Sequence, residues 1–353
     1  MQIKITLTPF SHYFLGTERN FEYNNEDRIR RQFKEGYFIR SKNTPSQTTL
    51  FGTLRYLLGV ENEKLKEDYA SIIGGYSYNI LRDDQTFGKI RSISNLFLEK
   101  GDVTYIPTPM DHLIKDIGGE YNKLYTPMEM NPKKVMGFSY PQTEARPVSL
   151  PKFFVAKDGI TKSWMSVKDQ SIVSEDKIFL HSVEVVSNKQ KKLAQKKEDS
   201  AFAKKEYVHL ARGFHFTFYA EVEESTEFPE MATAVLGKDS SAFAVTMQRT
   251  GEYDDLTDKI QRLFENRDSG FSYCISPAFV SNESIDKAAF SILTNEPMRI
   301  FESKGRKLGP ADEKALLNLV KAGSIFYTDD VDGFTNKHAR VAGMNILYRG
   351  GRR

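Results

Sequence analysis

The chain has 353 residues, 39% hydrophobic and 12% aromatic, which excludes a disordered polymer and leaves room for two domains of ordinary size. Its net charge of +3 permits nucleic-acid binding without arguing for it. A single cysteine, Cys274, excludes a disulfide framework and a multi-cysteine zinc site; with no signal peptide and no apolar run near 20 residues, the expected location is the cytoplasm, away from membranes.

Residues 2–8 alternate, with Ile3, Ile5 and Leu7 on one face and Lys4, Thr6 and Thr8 on the other, which predicts a half-buried strand ended by Pro9. An aromatic loop (Phe10, Tyr13, Phe14) follows, then a charged run over 18–36 that reads as a solvated loop or helix face. Residues 37–59 organise the rest. Tyr37, Phe38 and Ile39 predict a short strand, and Arg40, Ser41, Lys42 and Asn43 a basic-polar turn. Pro45 then sets φ for a helix capped by Ser46, with Leu50, Leu54, Leu57 and Leu58 as its apolar stripe and Gly59 as its stop. Thr48, Gly52 and Arg55 share the opposite face. Such a helix start suits an anion, a nucleic-acid phosphate above all, although the same residues also serve as plain caps and a solvated cation. Glycine inside a helix costs about 1 kcal/mol relative to alanine, so Gly52 predicts a close approach to the backbone.

Residues 93–98 predict a strand that turns at Lys100-Gly101 and returns over 103–106, cut off by Pro107 and Pro109. Pro127, Pro132, Pro141, Pro147 and Pro151 place a domain junction there, dividing the chain into 1–148 and 149–353. Beyond it come a strand over 178–187 and a lysine-rich run near 188–205, read as a solvated loop with an RNA or partner contact as the sharper alternative. A hairpin is expected between 207–210 and 214–222, with Phe214, Phe216, Phe218, Ala220 and Val222 in the core and His215, Thr217, Tyr219 and Glu221 outward. Helices over 230–236, 254–265 and 310–321 and strands over 242–247, 271–276, 324–327 and 344–348 complete an α+β pattern.

No Walker A spacing, G-x-G-x-x-G, H-E-x-x-H or G-x-S-x-G occurs, and Asp329, Asp330, Asp332 and Gly333 lack the spacing of a calcium loop. Asp111-His112 carries little weight as a metal pair. Cys274 sits in an apolar strand and reads as an inert thiol. His12 and His338 could serve a metal-independent RNA cleavage, yet nothing in the sequence supplies either with a partner. The expectation is a protein that is not an enzyme, with no catalytic residue, metal or cofactor.

Leu15-Gly16-Thr17-Glu18-Arg19-Asn20-Phe21, followed by Pro45-Ser46 and Leu50-Phe51-Gly52-Thr53-Leu54-Arg55, resembles the N-terminal signature of RAMP proteins. Residues 95–111 (NLFLEKGDVTYIPTPMD) carry a Phe-Leu strand, a glycine turn and Tyr-x-Pro-x-Pro-x-Asp. That order resembles the subunit of type III-B (Cmr) CRISPR effector complexes that caps the 5′ handle of the guide RNA (crRNA). Arg212-Gly213-Phe214, Leu236-Gly237, Ala322-Gly323-Ser324 and Gly343-Met344-Asn345 extend the likeness over nearly the whole chain.

The resemblance implies an α+β fold of two ferredoxin-like (RRM-like) RAMP domains packed side by side, with the crRNA 5′ handle held in a cleft between them. It implies two protein partners, the large cyclase-bearing subunit and a backbone RAMP subunit of an antiviral ribonucleoprotein. Ser46, Thr48, Gly52 and Arg55 fall on the family's first-helix motif and are the expected handle contacts, with Arg40 and Lys42 beside them. Gly343 and Asn345 fall on the C-terminal glycine motif, to which Asn336, Lys337, His338 and Arg340 are added on charge. The family's Arg-Asp-Gly-Arg type of loop is kept here only as Arg19 and Phe21, so Arg19 joins the set. The type III-A (Csm) counterpart, or a crRNA-processing endoribonuclease using His338, are the alternatives; the Pro-x-Pro-x-Asp segment favours type III-B.

Overall fold

Gln2–Pro9 forms a strand whose Ile3, Ile5 and Leu7 are fully buried, as the alternation predicts. Both of its edges are paired antiparallel, to Phe214–Val222 on one side and to Ser241–Thr250 on the other, so that Ile5 lies opposite both Phe218 and Met247. In this computed structural model the described residues are 1–16, 37–61, 70–75, 85–116, 123–127, 133, 135–137, 146–148, 162–188, 201–237, 241–267, 270–280, 285, 288, 290–299, 316–328 and 337–350. The first strand is central to a nine-stranded sheet in the order Ile172–Ser174, Ser163–Ser166, Val103–Pro107, Phe97–Lys100, Phe214–Val222, Gln2–Pro9, Ser241–Thr250, Met231–Leu236, with Ile90–Ile93 also paired to Phe214–Val222. Strand pairing in this sheet therefore crosses the boundary expected at 148.

The helix Gln47–Glu61 lays Leu50, Leu54, Leu57 and Leu58 on one face of the sheet, against Ile3, Ile5, Phe216, Phe218 and Val245. The helix Glu252–Phe264 covers part of the other face, placing Leu256, Ile260 and Phe264 among Phe97, Ile106, Tyr219 and Tyr273. Beyond that helix a second antiparallel sheet runs Phe290–Ile292, Ile325–Tyr327, Phe271–Cys274, Leu347–Arg349. A third joins Phe179–Asn188 antiparallel to Ala201–Leu210, with Tyr37–Ile39 parallel to the latter. The architecture is mixed α and β with mainly antiparallel sheets.

Several local expectations change. In the strand Phe214–Val222 the side expected to face water is buried at Thr217 (0% exposed) and Tyr219 (3%), the latter under the 252–264 helix, while His215 is half-buried and Glu221 exposed. Gly213 (φ 85°) turns the chain from one sheet to another, so 207–210 and 214–222 do not pair with each other. Met231–Leu236 is a strand, not a helix, exposing Met231 and Val235 and burying Ala234 and Leu236 in a period of two against Ser241–Thr250. Of 310–321 the described residues are 316–321, and Leu316–Val320 is a strand paired to Asn295–Arg299. Gly59 is buried within the first helix, which runs on to Glu61. Of the lysine-rich run, 201–205 is strand and 189–200 lie outside the described residues. Cys274 is buried, and burial pushes its thiol up, which keeps it protonated and inert.

Candidate nucleic-acid interface

The first helix starts as its sequence dictates. Ser46 Oγ accepts from the Thr49 amide at 3.2 Å and lies 3.0 Å from Thr48 Oγ1 and 2.8 Å from Thr49 Oγ1, a hydroxyl cluster on the first turn. Gln47 is buried at 4% exposure, and its amide is oriented so that Nε2 donates to Ser94 O (3.3 Å) while Oε1 accepts from the Leu96 amide (3.0 Å). The outward side of the helix carries Thr48, an exposed Gly52 and Tyr56, the last 57% exposed. A Cβ at Gly52 would meet nothing within 4 Å, so no part of the described chain accounts for the glycine by packing on it.

The C-terminal glycine motif arrives at the same place from the other end of the chain. Lys337–Val341 forms one helical turn, closed by Gly343 N donating to Arg340 O (3.0 Å) and Met344 N to Ala339 O (2.9 Å). Gly343 has φ 74°, and a Cβ on it would lie 2.4 Å from Ser94 O and 2.7 Å from the Gln47 amide. His338 packs its ring 5.6 Å from Phe87, which in turn packs 5.7 Å from Phe51 of the first helix. Segments 46–56, 87–96 and 337–345 are thus one packed unit, with Lys337 and Arg340 exposed on it.

The expected contacts divide on this geometry. Ser46, Thr48, Gly52, Lys337 and Arg340 belong to the unit, and Arg40 is exposed just before the helix. Arg55 is turned along the helix: its guanidinium donates from Nε to Ile73 O (3.1 Å) and from Nη2 to Gly75 O, a structural task invisible in the sequence. Lys42 is ion-paired to Glu296 at 2.7 Å. His338 is 8% exposed, and Asn345 (φ 56°) is 1% exposed with its amide bound to both Phe279 N (2.7 Å) and Phe279 O (3.1 Å). Asn345 therefore holds the 277–279 segment. Arg19 and Asn336 lie outside the described residues.

The Tyr-x-Pro-x-Pro-x-Asp segment is a latch between the two main sheets. Tyr273 Oη donates to Pro107 O, Met110 N donates to Gly323 O (2.8 Å), and Asp111 is fully buried against Arg267, Tyr327 Oη (3.0 Å) and His112 Nδ1 (3.1 Å). Burial pushes the Asp111 carboxyl up, but the His112 hydrogen bond and the Arg267 charge outweigh it and hold the group below its ordinary value. Sequence reasoning missed Gln47, Ser94 and Arg267, none of which carries a local signal of its partner.

No helix among the described residues is long and apolar enough to cross a membrane. The family described as CRISPR-associated protein (Cas_Cmr3) matches residues 5–341. No curated protein matches the chain. Among solved structures, a chain of the type III-B Cmr-beta complex bound to cognate target RNA aligns at 11% identity over 92% of this chain and 86% of its own, with a TM-score of 0.48. A chain of the Csm3-Csm4 subcomplex of the type III-A CRISPR-Cas interference complex aligns at 12% identity over 100% of both chains, with a TM-score of 0.39.

Proposed function

The chain belongs to the Cas_Cmr3 family of CRISPR-associated proteins, and from that premise we propose that it is the non-catalytic crRNA-binding subunit of a type III-B effector ribonucleoprotein. It holds the crRNA 5′ handle and bridges the large cyclase-bearing subunit to the backbone subunits. One observation carries the reading: the two motifs that the resemblance links to RNA, at the first helix and at the C-terminal glycine, pack together through Gln47, Ser94 and Gly343. Thr48, Gly52, Lys337 and Arg340 offer hydroxyls, open backbone and cations beside that junction, which is what phosphate and ribose contacts use. The non-catalytic reading is supported by His338, whose ring lies buried against Phe87.

Binding of crRNA carrying the host's 5′ handle, compared with the same RNA lacking it, tests the proposal. Tighter binding by at least about tenfold, or about 1.4 kcal/mol, is expected; equal affinity would refute handle recognition.

A further inference from the structure

Tyr13 and Val208 exchange backbone hydrogen bonds of 2.8 and 3.0 Å, and both side chains are fully buried. Alternation along the two segments turns their neighbours to the opposite face: His12 and Phe14 on one, Tyr207 and His209 on the other. There the His12 ring stands edge-on to Tyr207 (centroids 4.6 Å, 64°) and to His209 (5.4 Å, 68°). Lys205, next along the same face, places its ammonium 3.9 Å from the Phe14 ring centroid and 5.4 Å from that of Tyr207. On the neighbouring strand Leu180, 50% exposed, pairs with His209, and Ser182 pairs with Tyr207 and sets its Oγ 3.3 Å from His209 Nε2.

This row lies outside the first-helix and glycine-motif unit. The His12, Tyr207 and His209 rings are half-buried and Phe14 is buried beneath them, held from below by the Tyr13–Val208 ladder and from the side by one another. The imidazoles stand too close together for a phosphodiester to sit between them as it would between an acid and a base. Rigid, partly exposed rings on a sheet face beside a lysine instead match the way sheets stack unpaired bases and hold the adjoining phosphate. On the flanking strands Leu180 pairs with His209, Glu184 with Lys205 and Ile39 with Lys205, so the face joins stacking rings to one cation with a carboxylate opposite it.

We propose that this face is a second RNA site, at which His12, Tyr207 and His209 stack one or two unpaired nucleotides and Lys205 meets their phosphate. The proposal rests on the chain being an RNA-binding subunit, and it names a surface which that reading does not use. The test is fluorescence anisotropy of the full chain with a labelled single-stranded RNA of about ten nucleotides at several salt concentrations. Tyr207→Ala should weaken binding by about 5- to 100-fold at every salt concentration without changing the salt slope, and Tyr207→Phe should restore it. Lys205→Ala should flatten the slope by about 0.7. Ultraviolet crosslinking of the unmodified chain supplies a readout that needs no variant, and the crosslinked peptides should contain Tyr207 or His12. Unchanged affinity in Tyr207→Ala, or crosslinks that map only elsewhere, would overturn this site alone. A chain that binds no RNA would overturn it together with the proposed function.

Discussion

Gly343 lies against the side-chain amide of Gln47, with Ser94 O completing the contact. One end of the chain is thereby locked to the first helix through a glycine in the left-handed region. Gly343→Ala should cost about 1–2 kcal/mol for the backbone conformation alone, and more for displacing Ser94. Thermal unfolding should register a drop of several degrees; an unchanged midpoint would mean that the 94 and 343 segments do not pack as described.

Gly52 separates stability from function. Because a Cβ there meets nothing within 4 Å, Gly52→Ala should stabilise the helix by about 0.5–1 kcal/mol. If RNA approaches this backbone, Gly52→Leu should weaken handle binding while leaving the protein folded. Wild-type affinity in Gly52→Leu would remove this face from the interface.

Arg55 has its guanidinium on the carbonyls of Ile73 and Gly75. Arg55→Ala is expected to lower stability by about 1–3 kcal/mol, the range for hydrogen bonds from a charged donor, and to leave the salt slope of RNA binding alone. A slope flattened by about 0.7 with unchanged unfolding would return Arg55 to the phosphate contacts.

Asp111 is buried with Arg267, Tyr327 and His112. Its folded-state carboxyl titrates below the unfolded value of about 3.9. The stabilisation is therefore complete above that pH and is lost as pH falls through the depressed folded value. Asp111→Asn leaves Arg267 without its carboxylate and should cost about 3–5 kcal/mol at neutral pH. The variant should also lose part of the acid-induced fall in unfolding midpoint; an acid limb identical to wild type would contradict the role given to this carboxyl.

The parts of this fold legible in the sequence were those with strong local period. Ile3, Ile5 and Leu7 announced the central strand, and the leucine stripe announced the first helix, because one face of each had to be buried. Ser46 was legible as a cap because capping is a local interaction. The polar face of 214–222 was misread at Tyr219 since the helix that buries it comes from residues 252–264, which no local pattern reveals. The strand 231–236 was misread for a related reason: alanines favour helix locally, and pairing with 241–250 overrode them. Among the expected contacts, the employment of Arg55, Lys42 and Asn345 was not legible. Their partners, Gly75, Glu296 and Phe279, are distant in sequence.

The most direct measurement of the central claim is to purify the protein from its host and sequence the RNA that travels with it. If the chain holds the crRNA handle, those RNAs should share one 5′ sequence followed by differing guide segments. A population with no common 5′ end, or no associated RNA, would contradict the claim.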